Sequence, residues 1–220
     1  MVLRHGPDGD GPRVLMVPPL FEEANRMRRT LVLAMRALAD RGIASLLPDL
    51  PGQNESLVAT EGANLDLWRS ALAQIAAAET GPVMIASVRG GALIDDAATA
   101  WGWWRLASVK GASLLRTMLR ARVASDRERG IASNIEALTA QAQQGPLLLA
   151  GNLLSPAMIA QLDTAVPAET DPLCTVMLGD GPEDVAGTAL WLRAEPGEDP
   201  AMAAAMAESI CGWMSACGMR

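Results

Sequence analysis

The stretch from Pro82 to Ile94 reads Pro-Val-Met-Ile-Ala-Ser-Val-Arg-Gly-Gly-Ala-Leu-Ile. It predicts a buried strand, a tight glycine turn and the start of a helix. A strained strand-to-helix turn of this type, usually G-x-S-x-G, lifts one side chain above the end of a sheet, and that side chain is ordinarily a serine nucleophile. Here the pattern is Ser87-Val88-Arg89-Gly90-Gly91, with Arg89 at the apex. A guanidinium stays protonated and has no lone pair with which to attack a carbonyl. It offers instead a planar fork suited to carboxylate or phosphate. If a helix starts at Gly91, its amides and dipole favour the same anions. Arg89 and Gly90 are therefore candidate ligand-binding residues, and Arg89 is also a candidate oxyanion stabiliser.

Two loops supply candidate partners for Arg89. The first, Pro18-Pro-Leu-Phe-Glu-Glu-Ala-Asn-Arg-Met-Arg-Arg29, follows an apolar strand pattern and leads into a helix. In an open parallel sheet, ligands gather at the carboxyl ends of strands. Phe21, Asn25 and Arg28 are candidates for contact with a ligand. Glu22 or Glu23 would face Arg89 across the cleft and act as nucleophile or base if its pKa is tuned. The alternative reading is an acidic helix start favoured by the macrodipole. The second loop, Asp49-Leu-Pro-Gly-Gln-Asn-Glu-Ser56, reads as a turn held by Asp49 and Ser56, with Asp49 as a further partner for Arg89 or a ligand.

A Ser-His-Asp triad is not available. Asp180 or Asp184 follows a strand pattern at 174–178 and could occupy the acid position. The base position should follow the pattern at 189–193, where Ala194-Glu-Pro-Gly-Glu-Asp199 contains no His. The single His is His5, in a polar, Gly-rich N-terminal stretch. Ser87 falls inside the strand, and Ser155 is better used as a helix cap.

Strand and helix patterns that alternate along the chain must position these residues. Apolar runs at 13–17, 43–47, 83–86, 103–109, 146–150, 174–178 and 189–193 predict strands. Helical spacing predicts helices over 25–40, 65–79 after Asn64, 157–164 after Ser155-Pro156, and 201–213 after Asp199-Pro200. That order gives an α/β class with a mostly parallel sheet flanked by helices. From Leu114 to Ile135 the pattern becomes long, Arg-rich and amphipathic, so 112–145 is expected to be a helical cap inserted into a single domain covering 1–220.

The chain has 220 residues, half of them hydrophobic, and a mean hydropathy of +0.18. A sizeable core is available without staples. A net charge of −7 argues against nucleic-acid binding, which needs a basic footprint. No apolar run reaches the roughly 20 residues that span a bilayer, and no signal-peptide pattern opens the chain, so a cytoplasmic protein is expected. Cys174, Cys211 and Cys217 lack metal spacing and read as reduced thiols. No metal and no cofactor is expected.

Together these pieces resemble the family of exosortase A system-associated hydrolase 2 proteins. The motifs are Pro18-Pro19-x-x-Glu22-Glu23-x-Asn25-x-x-Arg28-Arg29, Asp49-Leu50-Pro51-Gly52-x-x-Glu55-Ser56, the Arg89 elbow with Gly91-Ala92, Gly111-x-x-Leu114-Leu115-x-x-x-Leu119-Arg120, and Ala150-Gly151-x-x-Leu154-Ser155-Pro156. They cover residues 13 to about 165. The resemblance implies an α/β-hydrolase fold, a bacterial protein encoded beside exopolysaccharide and protein-sorting systems, and an elbow arginine shared by the family. Gly90 departs from the bulkier residue usual there, and Asn152-Leu153 from an aromatic. Three functions are open. The chain binds a small anionic or acyl ligand at Arg89 with little or no Ser-His-Asp activity. Or it hydrolyses an ester or thioester with Glu22 or Glu23, Arg89 stabilising the oxyanion. Or it is a non-catalytic interaction module, as a homodimer or docking an export partner through its Arg-rich helix.

Overall fold

In the computed structural model, which describes residues 1–54 and 56–219, every residue of strand β2 (Arg13–Val17) and of strand β4 (Val83–Val88) is buried. Strands covered on both faces are what a central parallel sheet requires. β2 pairs in parallel with β4 on one side and with β3 (Ala44–Pro48) on the other. β5 (Gly102–Leu106) and β8 (Leu173–Val176) extend the sheet beyond β4, also in parallel. β1 (Val2–His5) adds an antiparallel edge to β3, giving the order β1-β3-β2-β4-β5-β8. A two-stranded hairpin of β6 (Leu147–Leu149) and β7 (Asn152–Leu154) stands apart from it.

One face of the sheet is covered by α1 (Glu22–Ala39) and α6 (Pro200–Ala216), whose Leu31, Met35, Met206 and Ile210 pack on Met16, Met84 and Trp104. The other is covered by α2 (Leu65–Ala77), α3 (Gly111–Glu128), α4 (Ile135–Gln144) and α5 (Pro156–Thr164), with Trp68, Leu72, Leu114 and Met158 in that core. The caps foreseen in the sequence are in place. Asn64 accepts from the Leu67 amide, Ser155 from Met158 and Asp199 from Met202, with Pro156 and Pro200 in the first turns. Each cap of this kind is worth about 1 kcal/mol.

Four elements differ from the sequence expectation. The polar, Gly-rich N-terminal stretch holds a strand outside the apolar runs, because β1 pairs with β3 and carries His5. The apolar run at 146–150 forms the hairpin rather than a sheet strand, because Ala150-Gly151, both at positive φ, turn it back on 152–154. The run at 189–193 is a short 3-10 turn, Leu190–Leu192, lying beside α1, so the main sheet ends at β8. No long helix follows the elbow. Two 3-10 turns, Arg89–Leu93 and Asp95–Ala97, occupy the short connection to β5, since two glycines weaken a helix start. Glu55 of the second loop lies outside the described residues. Among the described residues no helix is long and apolar enough to cross a membrane.

Candidate active site

The carboxyl ends of three adjacent strands build the site. β2 ends at Val17, opposite Ser87 of β4, and Val88 of β4 stands opposite Leu106 of β5. The residues that follow therefore meet: the loop into α1 after β2, Arg89 after β4, and Ala107 after β5. Arg89 has φ 54, the left-handed conformation that an elbow apex needs and that a side chain other than glycine adopts only under constraint. Gly91 holds the turn close to β2, since a Cβ there would stand 2.6 Å from the carbonyl oxygen of Pro18 and 2.7 Å from that of Val17.

Arg89 is engaged on several sides. Its Nε and Nη2 donate to the two carboxylate oxygens of Glu23, each at 3.2 Å. Its Nη1 donates to the Ala107 carbonyl at 3.3 Å. Its guanidinium carbon lies 4.9 Å from the centre of the Trp191 ring, a cation–π distance. A guanidinium has five N–H donors, so these contacts leave one N–H on each terminal nitrogen. The Arg89 side chain is 18 % exposed and that of Glu23 11 %. Burial raises the Glu23 carboxyl above the ordinary carboxylate value, and the Arg89 hydrogen bonds offset that only in part.

Above the pair opens a cavity of about 240 Å³. Its walls are mostly apolar, from Leu20, Phe21, Leu114, Met118 and Trp191, with Glu22 and Arg26 at its edge. Glu22 pairs with Arg26 one turn along α1, so neither acidic residue of the first loop is left free. Backbone strain gathers around this cavity. Of the five non-glycine residues at positive φ among the described residues, Phe21, Arg89 and Ala150 line it and Ala107 binds Arg89.

The structure brings together Phe21, Glu22, Glu23 and Arg89 from the sequence candidates. It separates the rest. Asn25 is exposed on α1. Arg28 donates to Asp49 at 3.0 Å, and Asn54 donates to the same carboxylate at 3.1 Å, which closes the second loop on itself. Gly90 is buried beneath α3, where a Cβ would come within 2.5 Å of Leu114 Cδ1. Asp180 and Asp184 are exposed, and Asp184 accepts from the Gly181 amide within its own turn. His5 pairs with Ser45 at the start of β3, whereas Arg89 follows the end of β4, so the one imidazole sits at the opposite end of the sheet. The dipole of a long helix, expected at the elbow, is absent with the helix.

Sequence reasoning missed two contributors. Trp191 read as part of a strand, and its aromatic character was the only signal that it could face a cation. The second is a buried network under the elbow. Ser87 Oγ donates to Asp95 at 2.7 Å, and Arg105 forks onto both Asp95 oxygens at 2.7 and 2.8 Å. Arg105 also donates to the Ala168 carbonyl at 2.7 Å, and Asp95 is fully buried. Ser87 is therefore spent inside the fold.

No protein-family model and no curated protein sequence matches the chain. Solved structures do. A thermophilic esterase from Thermogutta terrifontis, malate bound, aligns with a TM-score of 0.54 at 14 % identity over 99 % of this chain and 93 % of that one. Est1E from Butyrivibrio proteoclasticus gives 0.53 at 16 % over 80 % and 72 %. The mouse alpha/beta hydrolase domain-containing protein 10 gives 0.51 at 11 % over 80 % and 71 %. At such identities the likeness carries the fold alone, and the fold is α/β-hydrolase-like, a mostly parallel sheet flanked by helices with an arginine at the elbow apex.

Proposed function

We propose that this chain binds a small organic anion in the Arg89 cavity and has little or no Ser-His-Asp turnover. The observation that carries this reading is Arg89 at the floor of an apolar-walled cavity, with one N–H left on each terminal nitrogen. Those two N–H groups can donate to the oxygens of one carboxylate, phosphate or sulfonate group. Leu114, Met118 and Trp191 favour an apolar body behind it. The volume is below the roughly 300 Å³ at which sites for drug-sized ligands begin, so the ligand is small, a short-chain or single-ring acid. Glu23 sits on the same guanidinium and opposes a second anion, which keeps the affinity modest until Glu23 is protonated.

A second reading, hydrolysis by Glu23 or Glu22 with Arg89 as oxyanion stabiliser, draws on the raised pKa of Glu23. Against it, both carboxylates are already paired with arginines. The motif resemblance supports a place beside bacterial exopolysaccharide and sorting systems, as an exosortase-associated hydrolase-fold protein of the cytoplasm.

Titration calorimetry with benzoate, malate, phosphate and benzenesulfonate tests the binding reading, against wild type and Arg89→Ala. At least one anion should bind the wild type and be lost in the variant. Wild-type binding that survives Arg89→Ala refutes it. Hydrolysis of a p-nitrophenyl ester panel by the wild type, abolished by Glu23→Gln or Glu22→Gln, would establish the second reading instead.

A further inference from the structure

We infer that the outer side of α3 holds a second ligand site, one for a single-chain amphiphile with a zwitterionic head. α3, α4 and α5 enclose a groove of about 490 Å³, within the range of small-molecule sites. It is distinct from the Arg89 cavity. Leu114 and Met118 of α3 face that cavity, while Leu115 and Leu119, about 100° round the helix, face the groove.

The groove has two unlike ends. The Gly111 amide donates to the Ala165 carbonyl, so the first turn of α3 meets the last turn of α5. At that end stand Arg116 of α3 and Asp163 of α5, both exposed. At the other end the lining is Leu119, Ala142 and Leu147. Among the described residues neither Arg116 nor Asp163 forms an ion pair. Opposite charges on facing helices, over one end of an apolar trough, match a head group that carries both signs. Arg116 takes the phosphate of such a head and Asp163 its ammonium, while the chain lies along Leu115 and Leu119. A purely anionic head meets Asp163 and a purely cationic one meets Arg116, which sets the selectivity.

Calorimetry with four decyl amphiphiles below their micelle concentrations tests this: decylphosphocholine, decanoate, decyltrimethylammonium and decyl maltoside. Decylphosphocholine should bind one per chain, at least about tenfold tighter than the others, a difference of 1.4 kcal/mol. Arg116→Asp should shift the preference to the ammonium head, and Asp163→Arg to the carboxylate. Both are surface changes that leave the core untouched. Ala142→Phe, which fills the apolar end, should abolish binding of all four, and Arg89→Ala should leave it in place. Equal binding of all heads, no binding, or a groove covered by a second copy in a concentration-dependent dimer would each overturn the assignment.

Discussion

Replacing Glu23 by Gln removes one negative charge from the floor of the cavity and almost no volume. A bound anion on the two remaining Arg89 N–H groups would lie about 5 Å from the Glu23 carboxylate, because both are held by one guanidinium. Two like charges at that distance repel by about 3 kcal/mol at an effective dielectric of 20, and by about 1 kcal/mol in bulk water. The cavity is partly open, so a gain of about 1–3 kcal/mol is expected, or roughly 5- to 150-fold tighter binding. The same substitution leaves Arg89 without its counter-ion. Full loss of a buried partner costs about 3–5 kcal/mol. Arg89 keeps the Ala107 carbonyl, the Trp191 face and some solvent contact, and burial disfavours the Glu23 charge by more than Arg89 favours it, so the neutral isostere should leave stability at pH 7 almost unchanged. Benzenesulfonate is the ligand of choice, since it stays ionised across the pH range. Calorimetry should show tighter binding in Glu23→Gln at pH 7, and urea denaturation a midpoint no lower than that of the wild type. Sulfonate binding unchanged or weakened in Glu23→Gln would refute the argument that Glu23 and the ligand share Arg89.

Three other outcomes are expected. The pH dependence has a definite sign: the folded chain holds the Glu23 proton more tightly than the unfolded chain, so the stability tied to this group falls as pH rises from the ordinary carboxylate value through the raised one. Wild-type sulfonate affinity should accordingly rise as pH falls through that window and stay flat in Glu23→Gln, which calorimetry at several pH values measures. Asp95→Asn should cost about 3–5 kcal/mol in urea denaturation, because Arg105 and Asp95 are almost wholly buried and the arginine keeps its charge. Gly91→Ala should destabilise more than Gly90→Ala in thermal unfolding, because the added Cβ meets backbone oxygens at Gly91 but mainly the movable end of Leu114 at Gly90.

The elbow and its acidic partner were legible in the sequence because both depend on short-range signals. A buried apolar run followed by Arg-Gly-Gly fixes where Arg89 stands, and Glu22-Glu23 follows a strand that must lie near it in a parallel sheet. The helix caps at Asn64, Ser155 and Asp199 were legible for the same reason. What escaped depends on contacts far apart in the chain. Nothing near Trp191 says that Arg89 will lie against its ring. Nothing near Asp95 says that Arg105 of β5 will neutralise it. β1 was hidden because its four residues run straight into Gly6-Pro7, and only pairing with β3 gives them order. The run at 146–150 has strand character, and its turn residues, rather than its apolar ones, decided which strand it joined.

The short 3-10 turns after the elbow have one consequence for how this site is governed. Where a long helix follows the apex, part of the positive field comes from backbone amides, which no side-chain change removes. Here the elbow is followed by turns of five and three residues, so the elbow itself adds no such fixed contribution. The charge of the cavity floor is a balance between two side chains, Arg89 at the elbow and Glu23 in the first turn of α1. A single neutral substitution at Glu23 leaves the floor positive, and one at Arg89 leaves it negative, while the sheet beneath stays as it is.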